Sequence, residues 1–456
     1  MISVLLRTFW TDNLVSAIAT CLALWSVDTT AQTLTRGPYL QMGTATSQTV
    51  RWRTDMATDS QLQIGLNPAA LNQGTNVSSL TTEHIVTVSG LLPATRYYYS
   101  VGSSLTPIAG VDTEHFFVTA PVKAAMDPFR VWVLGDAGTA GPTGVNANQS
   151  AVRDAYASFN GTQYTNLILM LGDNAYNTGT DAEYQRAVFN MYGSFLNKSN
   201  LWSTIGNHET AQATTIDVNR IPYFNIFTFP SNGEAGGLAS GTEKYYSFNI
   251  GNVHFVCLDS MTSNRSPTGA MLTWLNADLA ANDQTWVVAF WHHPPYTKGS
   301  HDSDTETQLV EMRENALPIL ESHGVDLVLS GHSHSYERSY LIGGHYGNSS
   351  SWNPEKMLKN GGNGQADGTG AYVKNSRNPR RAVYAVTGSS GQTSGGSLNH
   401  PAMFVSLNKL GSMVLDINGN RLDAKFIRET GVVADSFSII KTNNGKLIPS
   451  LTLLIE

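Results

Sequence analysis

Cysteine is almost missing from this 456-residue chain: Cys21 and Cys257 are the only two. No disulfide framework and no cysteine-based zinc site can be built from that pair. Charge is also scarce, at 14% of residues, too little for a disordered or coiled-coil chain. The 28 Lys and Arg stand against 35 Asp and Glu, a formal net charge of −7, with no basic run. A nucleic-acid surface as the main partner is thereby excluded, because such binding rests on clustered cations. Beyond residue 31 no segment is long and apolar enough to cross a bilayer as a helix. What is present is apolar residue, 41% of the chain, enough for large cores. Gly (41) and Pro (17) are spread throughout and predict many turns and appreciable β content. The length suggests two or three domains at ~150 residues each.

Residues 1–31 have the pattern of a signal peptide. Arg7 supplies a positive start, 14–25 an apolar core, and Thr29, Thr30 and Ala31 small residues for cleavage. Asp12 is an imperfection in that pattern. Cleavage before Cys21 as a lipoprotein, or retention as an anchor, are the alternatives. The expected location is secreted or periplasmic. Cys257, in the apolar run VHFVCLD, is expected to be an inert core residue.

Residues 35–120 read as an all-β sandwich domain. In Thr49-Val50-Arg51-Trp52-Arg53 the apolar residues alternate, and Tyr97, Tyr99 and Val101 alternate again after the turn signal Gly90-Leu91-Leu92-Pro93. The stretch GLLPATRYYYSVG resembles a fibronectin-type-III-like domain, with its tyrosines as core. A linker follows at 120–128. From 128 to 400 apolar runs of strand length recur, at 131–134, 167–171, 201–205, 253–258, 286–291, 325–329 and 382–386, with helical stretches at 183–196, 271–279 and 306–320. Continuous apolar strands alternating with helices indicate a layered α/β domain with buried sheets. Residues 343–380, rich in Gly, Asn and Ser, read as a long surface loop. The C-terminal part, 401–456, returns to strands expected to complete this domain by closing its second sheet.

Five of the strands end in residues of metal-ligand type: Gly135-Asp136-Ala137-Gly138, Gly172-Asp173-Asn174-Ala175-Tyr176, Gly206-Asn207-His208-Glu209, His292-His293, and Gly331-His332-Ser333-His334. Ligands in α/β sheets bind at the carboxyl ends of strands, so these five ends are expected to converge on one pocket holding two metals. The adjoining glycines are expected to let the backbone turn sharply there. Any one motif alone is weak, since Gly-Asp after a strand is commonly a turn; the ordered set needs five coincidences.

These motifs, complete and in order, resemble the purple acid phosphatases within the calcineurin-like metallophosphoesterases. Most of that superfamily carries Asp-x-His in the first motif, and Gly138 stands here instead; Tyr176 is the family's replacement ligand. The resemblance implies a four-layer α/β fold, two mixed sheets flanked by helices, behind the all-β domain. It implies Fe(III) held by Asp136, Asp173, Tyr176 and His334, and a second divalent metal (Zn, Fe or Mn) held by Asp173, Asn207, His292 and His332. A phenolate is a hard ligand suited to Fe(III), and only a strongly acidic cation keeps a group of free pKa ~10 ionised. Two metals ~3.5–4 Å apart can clamp a phosphate for in-line attack by a metal-bound hydroxide. The resemblance makes His208 a phosphate contact and His301 the proton donor to the leaving alcohol, with Glu209 orienting His208 or another ligand. His293 and Tyr296 are expected to line the pocket, and Glu337 and Arg338 to form a buried ion pair.

The implied function is acid phosphatase activity on a small phosphorylated substrate. Phosphodiester or nucleotide pyrophosphate hydrolysis on the same site is one alternative. A decayed phosphatase that binds through its β-sandwich is another.

Overall fold

The computed structural model describes residues 32–141, 146–214, 217–375 and 379–442; the expected signal peptide, with Cys21, lies outside them. Two sheets face each other across one core. The first contains the parallel strands Phe129–Leu134, Leu167–Met170 and Asn200–Ser203, buried at every position. That burial on both faces is why their sequences are uninterrupted apolar runs rather than alternating ones. The second sheet runs in the order Tyr246–Ile250, Val253–Cys257, Trp286–Phe290, Leu327–Ser330, Val383–Thr387, Tyr336–Ser339, Met403–Leu407. Between the sheets Trp202 stacks on Phe248 with centroids 3.7 Å apart. Helices cover the outer faces. Trp132 stacks on Tyr156 of the helix Ala147–Asn160 at 3.9 Å, and Ala270–Ala281 and Leu317–Ser322 pack their Leu275 and Leu320 with Val287 and Val328 of the second sheet. The result is the expected four-layer arrangement.

The expected closing of the second sheet by the C-terminal strands holds for Met403–Leu407 and is corrected for the three strands after it. Gly411–Asn418, Arg421–Arg428 and Val433–Thr442 lengthen the first sheet instead, with Gly411–Asn418 antiparallel to Phe129–Leu134. An Arg130–Asp416 pair at 2.7 Å closes the outer side of that joint. Residues 343–380 are not purely a surface loop. Tyr372–Asn375 is an edge strand parallel to Val433–Thr442, with Tyr372 and Lys374 buried and the Lys374 ammonium 2.7 Å from the Asp326 carboxylate. Glu337 and Arg338 are both buried but do not pair with each other, because neighbours in a strand point to opposite faces. Arg338 forks onto Asp435 at 2.6 and 2.9 Å, whereas Glu337 accepts from Thr297 and Ser335.

The front domain keeps its own core, with Val50, Trp52, Tyr97, Tyr99 and Phe117 buried together. It is also sewn to the layers behind it. Its strand Leu34–Gln41 pairs with Ser47–Gly65 on one side and, through Leu40 opposite Asn200, with Asn200–Ser203 on the other. Cys257 is fully buried, and burial pushes its thiol well up, which makes it inert as expected.

Two other buried groups set an acid limit on this fold. His345 has no partner for either ring nitrogen among the described residues, and His400 none for Nε2. Burial, followed by Arg313, lowers His345 to about 4; burial, followed by His345, lowers His400 to about 3. Both are neutral in the fold, while the unfolded chain takes up protons near pH 6.5. Their stabilisation is therefore complete above that pH and is lost as pH falls through the folded values, at about 1.4 kcal/mol per pH unit for each histidine. The melting temperature is expected to drop between pH 6.5 and 4, and His400→Gln to flatten that slope. An unchanged slope in the variant would show that other groups set the limit.

Candidate metal centre

The five strand ends meet. Asp136, Asp173 and His332 all have φ in the left-handed region, at 54°, 52° and 66°. Such a conformation costs a non-glycine residue about 1–2 kcal/mol, and it turns each side chain off the end of its strand toward a common point. The neighbouring glycines share this turning only at Gly172, with φ 89°. Gly331 and Gly206 are needed for room: a Cβ would stand 2.4 Å from Asp136 Oδ2 at the first and 2.3 Å from Asp173 Oδ1 at the second.

The seven expected ligands form two quartets that share one atom. In the first, the Tyr176 hydroxyl lies 3.2 Å from Asp136 Oδ1, 3.1 Å from Asp173 Oδ2 and 3.2 Å from His334 Nε2. In the second, His292 Nε2 lies 3.4 Å from Asp173 Oδ2, 3.0 Å from Asn207 Oδ1 and 3.2 Å from His332 Nδ1, which is itself 3.0 Å from Asn207 Oδ1. Asp173 Oδ2 belongs to both.

The chemistry of these donors fits two cations. Asp136 and Asp173 are buried carboxylates whose only ion-pair partners among the described residues are histidines, never Lys or Arg. Buried charge without a partner is costly, and a metal supplies the missing positive charge. Each imidazole is also held at its far nitrogen: His292 Nδ1 at the Leu171 carbonyl (2.9 Å), His332 Nε2 at Glu306 Oε2 (3.3 Å), and His334 Nδ1 at Ser394 Oγ (2.8 Å). Those contacts aim the near nitrogens into the site, as in metal-binding histidines generally. Burial opposes charge on His292, but Asp173 beside it prevails and holds its pKa up at about 10.

The remaining expected residues fall out as follows. His208 donates from Nδ1 to the Asn177 carbonyl at 2.7 Å, lies tilted with its ring 4.3 Å from that of Tyr176, and has Nε2 3.9 Å from Asp173 Oδ2. His301 lies with its ring 3.7 Å from that of His332, its Nδ1 3.0 Å from Glu306. Both are about one-third exposed, and so face the opening of the site. Glu209 does not orient His208. It accepts from the backbone N–H groups of Asp173 (2.9 Å), Asn174 and Gly206 (2.7 Å), and so fixes the loop that carries Asp173. His293 is buried against Ser260 and the His332 ring, at 2.8 and 4.4 Å. Tyr296 does not line the site; it is buried between His345 and Tyr384. Sequence reasoning missed Glu306, which binds His301 and His332, and Ser394, which holds His334. Glu306 precedes the helix Thr307–Glu311, and a carboxylate there reads as a helix-start residue only.

The family model described as calcineurin-like phosphoesterase matches residues 129–336, and that of the purple acid phosphatase N-terminal domain matches 36–119. Purple acid phosphatases 15 and 23 of Arabidopsis thaliana are each 31% identical over 57% of this chain, and the matches cover 50% and 58% of those proteins. The chain thus spans about half the length of the curated relatives it matches. The structure of a purple acid phosphatase from yellow lupin (Lupinus luteus) seeds has the same fold, with a TM-score of 0.69 at 16% identity over 89% of this chain and 75% of that one. Both domain matches occur in sequence order, so the chain carries a purple acid phosphatase N-terminal domain ahead of a calcineurin-like phosphoesterase domain.

Proposed function

We propose that this chain is an exported acid phosphatase that hydrolyses phosphomonoesters at a dinuclear centre. The observation that carries the reading is the pair of donor quartets joined through Asp173 Oδ2. Asp136, Asp173, Tyr176 and His334 would hold Fe(III), since only this quartet has three hard oxygen donors. Asp173, Asn207, His292 and His332 would hold the divalent metal, Zn, Fe or Mn. When bound, the two cations supply a water of lowered pKa and positive charge against the phosphoryl oxygens.

The chain's own residues do the rest. His208 donates a hydrogen bond from Nδ1–H to a backbone carbonyl, so its tautomer and ring plane are fixed, and its exposed edge is placed for a phosphoryl oxygen. His301 is held in the same way at Nδ1 by Glu306, which turns Nε2 outward to protonate a departing alkoxide. Asn207 and the three imidazoles sit on backbone that Glu209 and the strand ends immobilise. The segment 1–31 would direct the protein to a secreted or periplasmic location.

The test is hydrolysis of p-nitrophenyl phosphate beside its bis ester, with elemental analysis of the same preparation. The expected result is two metals per chain and a clear preference for the monoester. Preference for the bis ester would move the reading to phosphodiesters. Absence of both metals and activity would favour a decayed binding protein, against which the complete donor set argues.

A further inference from the structure

We propose that the front β-domain positions the phosphate-facing His208, with Arg53 and Arg36 as the positioning residues. The inference rests on the phosphatase reading of the site and extends it to residues outside the metallophosphoesterase layers. Arg53 grips Asp181 with both ends of its guanidinium, at 2.7 Å to each carboxylate oxygen, and is itself steadied by Glu83. Arg36, fully buried, reaches the same Asp181 at 3.0 Å and Gln185 at 2.8 Å, with its guanidinium 4.5 Å from the Phe189 ring. A planar fork matched to a carboxylate is the most directional ion pair available to a protein. It fixes orientation as well as distance.

Asp181 opens the helix Asp181–Tyr184, and what that helix start holds is the active-site loop. Thr180 caps it and Glu183 closes the capping box. The Glu183 carboxylate also accepts from the backbone N–H of Asn177 at 2.7 Å and of Thr178 at 3.2 Å. The carbonyl of Asn177 accepts a hydrogen bond from His208 Nδ1–H. Tyr176, next in the chain, packs its ring on that of His208. The route from Arg53 to His208 is therefore Arg53, Asp181, the helix start, Glu183, Asn177, His208, every step a hydrogen bond or one peptide unit. An exposed ion pair alone would stabilise little. Here the pair sets the position of the acceptor that fixes the ring.

The test combines hydrogen exchange with a double-mutant cycle. In Arg53→Ala the amides of Asn177 and Thr178 are expected to exchange faster than in the wild type, and kcat on p-nitrophenyl phosphate to fall about tenfold, the lower end for loss of a ligand-supporting contact, with metal content unchanged. Asp181→Ala removes the pair from its other side and is expected to do the same; it serves if Arg53→Ala folds poorly. In a His208→Ala background neither change is expected to lower kcat further, because the group they position is gone. Unchanged exchange at 177 and 178, or losses that multiply in the double variants, would overturn the proposal. A wild type without phosphatase activity would defeat the phosphatase reading instead, and the exchange measurement would still report on the loop.

Discussion

Replacing Asp173 with Asn is expected to lower kcat/KM on p-nitrophenyl phosphate far beyond the ~10–100-fold typical of residues that only support a ligand, and to reduce both metals per chain. Asp173 Oδ2 is the one atom common to the two quartets, 3.1 Å from the Tyr176 hydroxyl and 3.4 Å from His292 Nε2. Its other oxygen accepts the backbone N–H of His208 at 2.9 Å, so the same side chain also fixes the loop of Asn207. Asn is the informative substitution, because the residue stands at φ 52° and Asn tolerates that conformation where Ala does not. The variant should keep its fold and lose only the anionic bridge. His301→Ala provides the contrast. In its proposed role it protonates the leaving group, so a substrate with a good leaving group should be hydrolysed nearly as before, and an alkyl phosphate much more slowly. Retention of both metals and of wild-type activity by Asp173→Asn would remove the shared bridge from the site.

The strands that carry the ligands were legible because buried parallel strands have to be apolar throughout, and such runs stand out beside the Gly-rich loops. The seven expected ligands come from the motifs behind those strands together with their resemblance to the purple acid phosphatases. What sequence could not show were contacts between side chains far apart in the chain. Arg338 finds Asp435 rather than its neighbour Glu337, since period-two alternation sends the neighbours to opposite faces. Glu306 is bound to His332 across twenty-six positions, with no local pattern to mark it. Of the two expectations for Glu209, His208 or another ligand, the second holds: its side chain turns back on the backbone N–H groups of Asp173 and Gly206, a turn that the sequence does not mark. The joint between the domains includes the backbone pairing of Leu40 with Asn200, the Asp181 cluster, and Arg51 reaching Thr228 and the Asn225 carbonyl, and polar residues of this kind read as ordinary surface.

The second large effect is expected from Tyr176→Phe. The purified wild type should be coloured by charge transfer from tyrosinate to iron, and the variant should be colourless with a reduced iron content. The phenol is deeply buried; burial first, then Asp136 and Asp173, raise its pKa well above the ordinary value, so with carboxylates alone for company it stays protonated and donates to them. Only a strongly acidic cation at that point reverses the balance and makes the oxygen a ligand. A hard trivalent ion suits three anionic oxygens and one imidazole better than a softer divalent one does. Phe keeps the ring that packs 4.3 Å from His208, so the loop and the thermal melt should be preserved while the oxygen alone is lost. Loss of the visible band with an intact melt would tie the colour to this one atom. A colourless, fully active wild type containing zinc and no iron would contradict the assignment of Fe(III) to the Tyr176 quartet, and would leave the shared carboxylate of Asp173 as the feature that both metals still require.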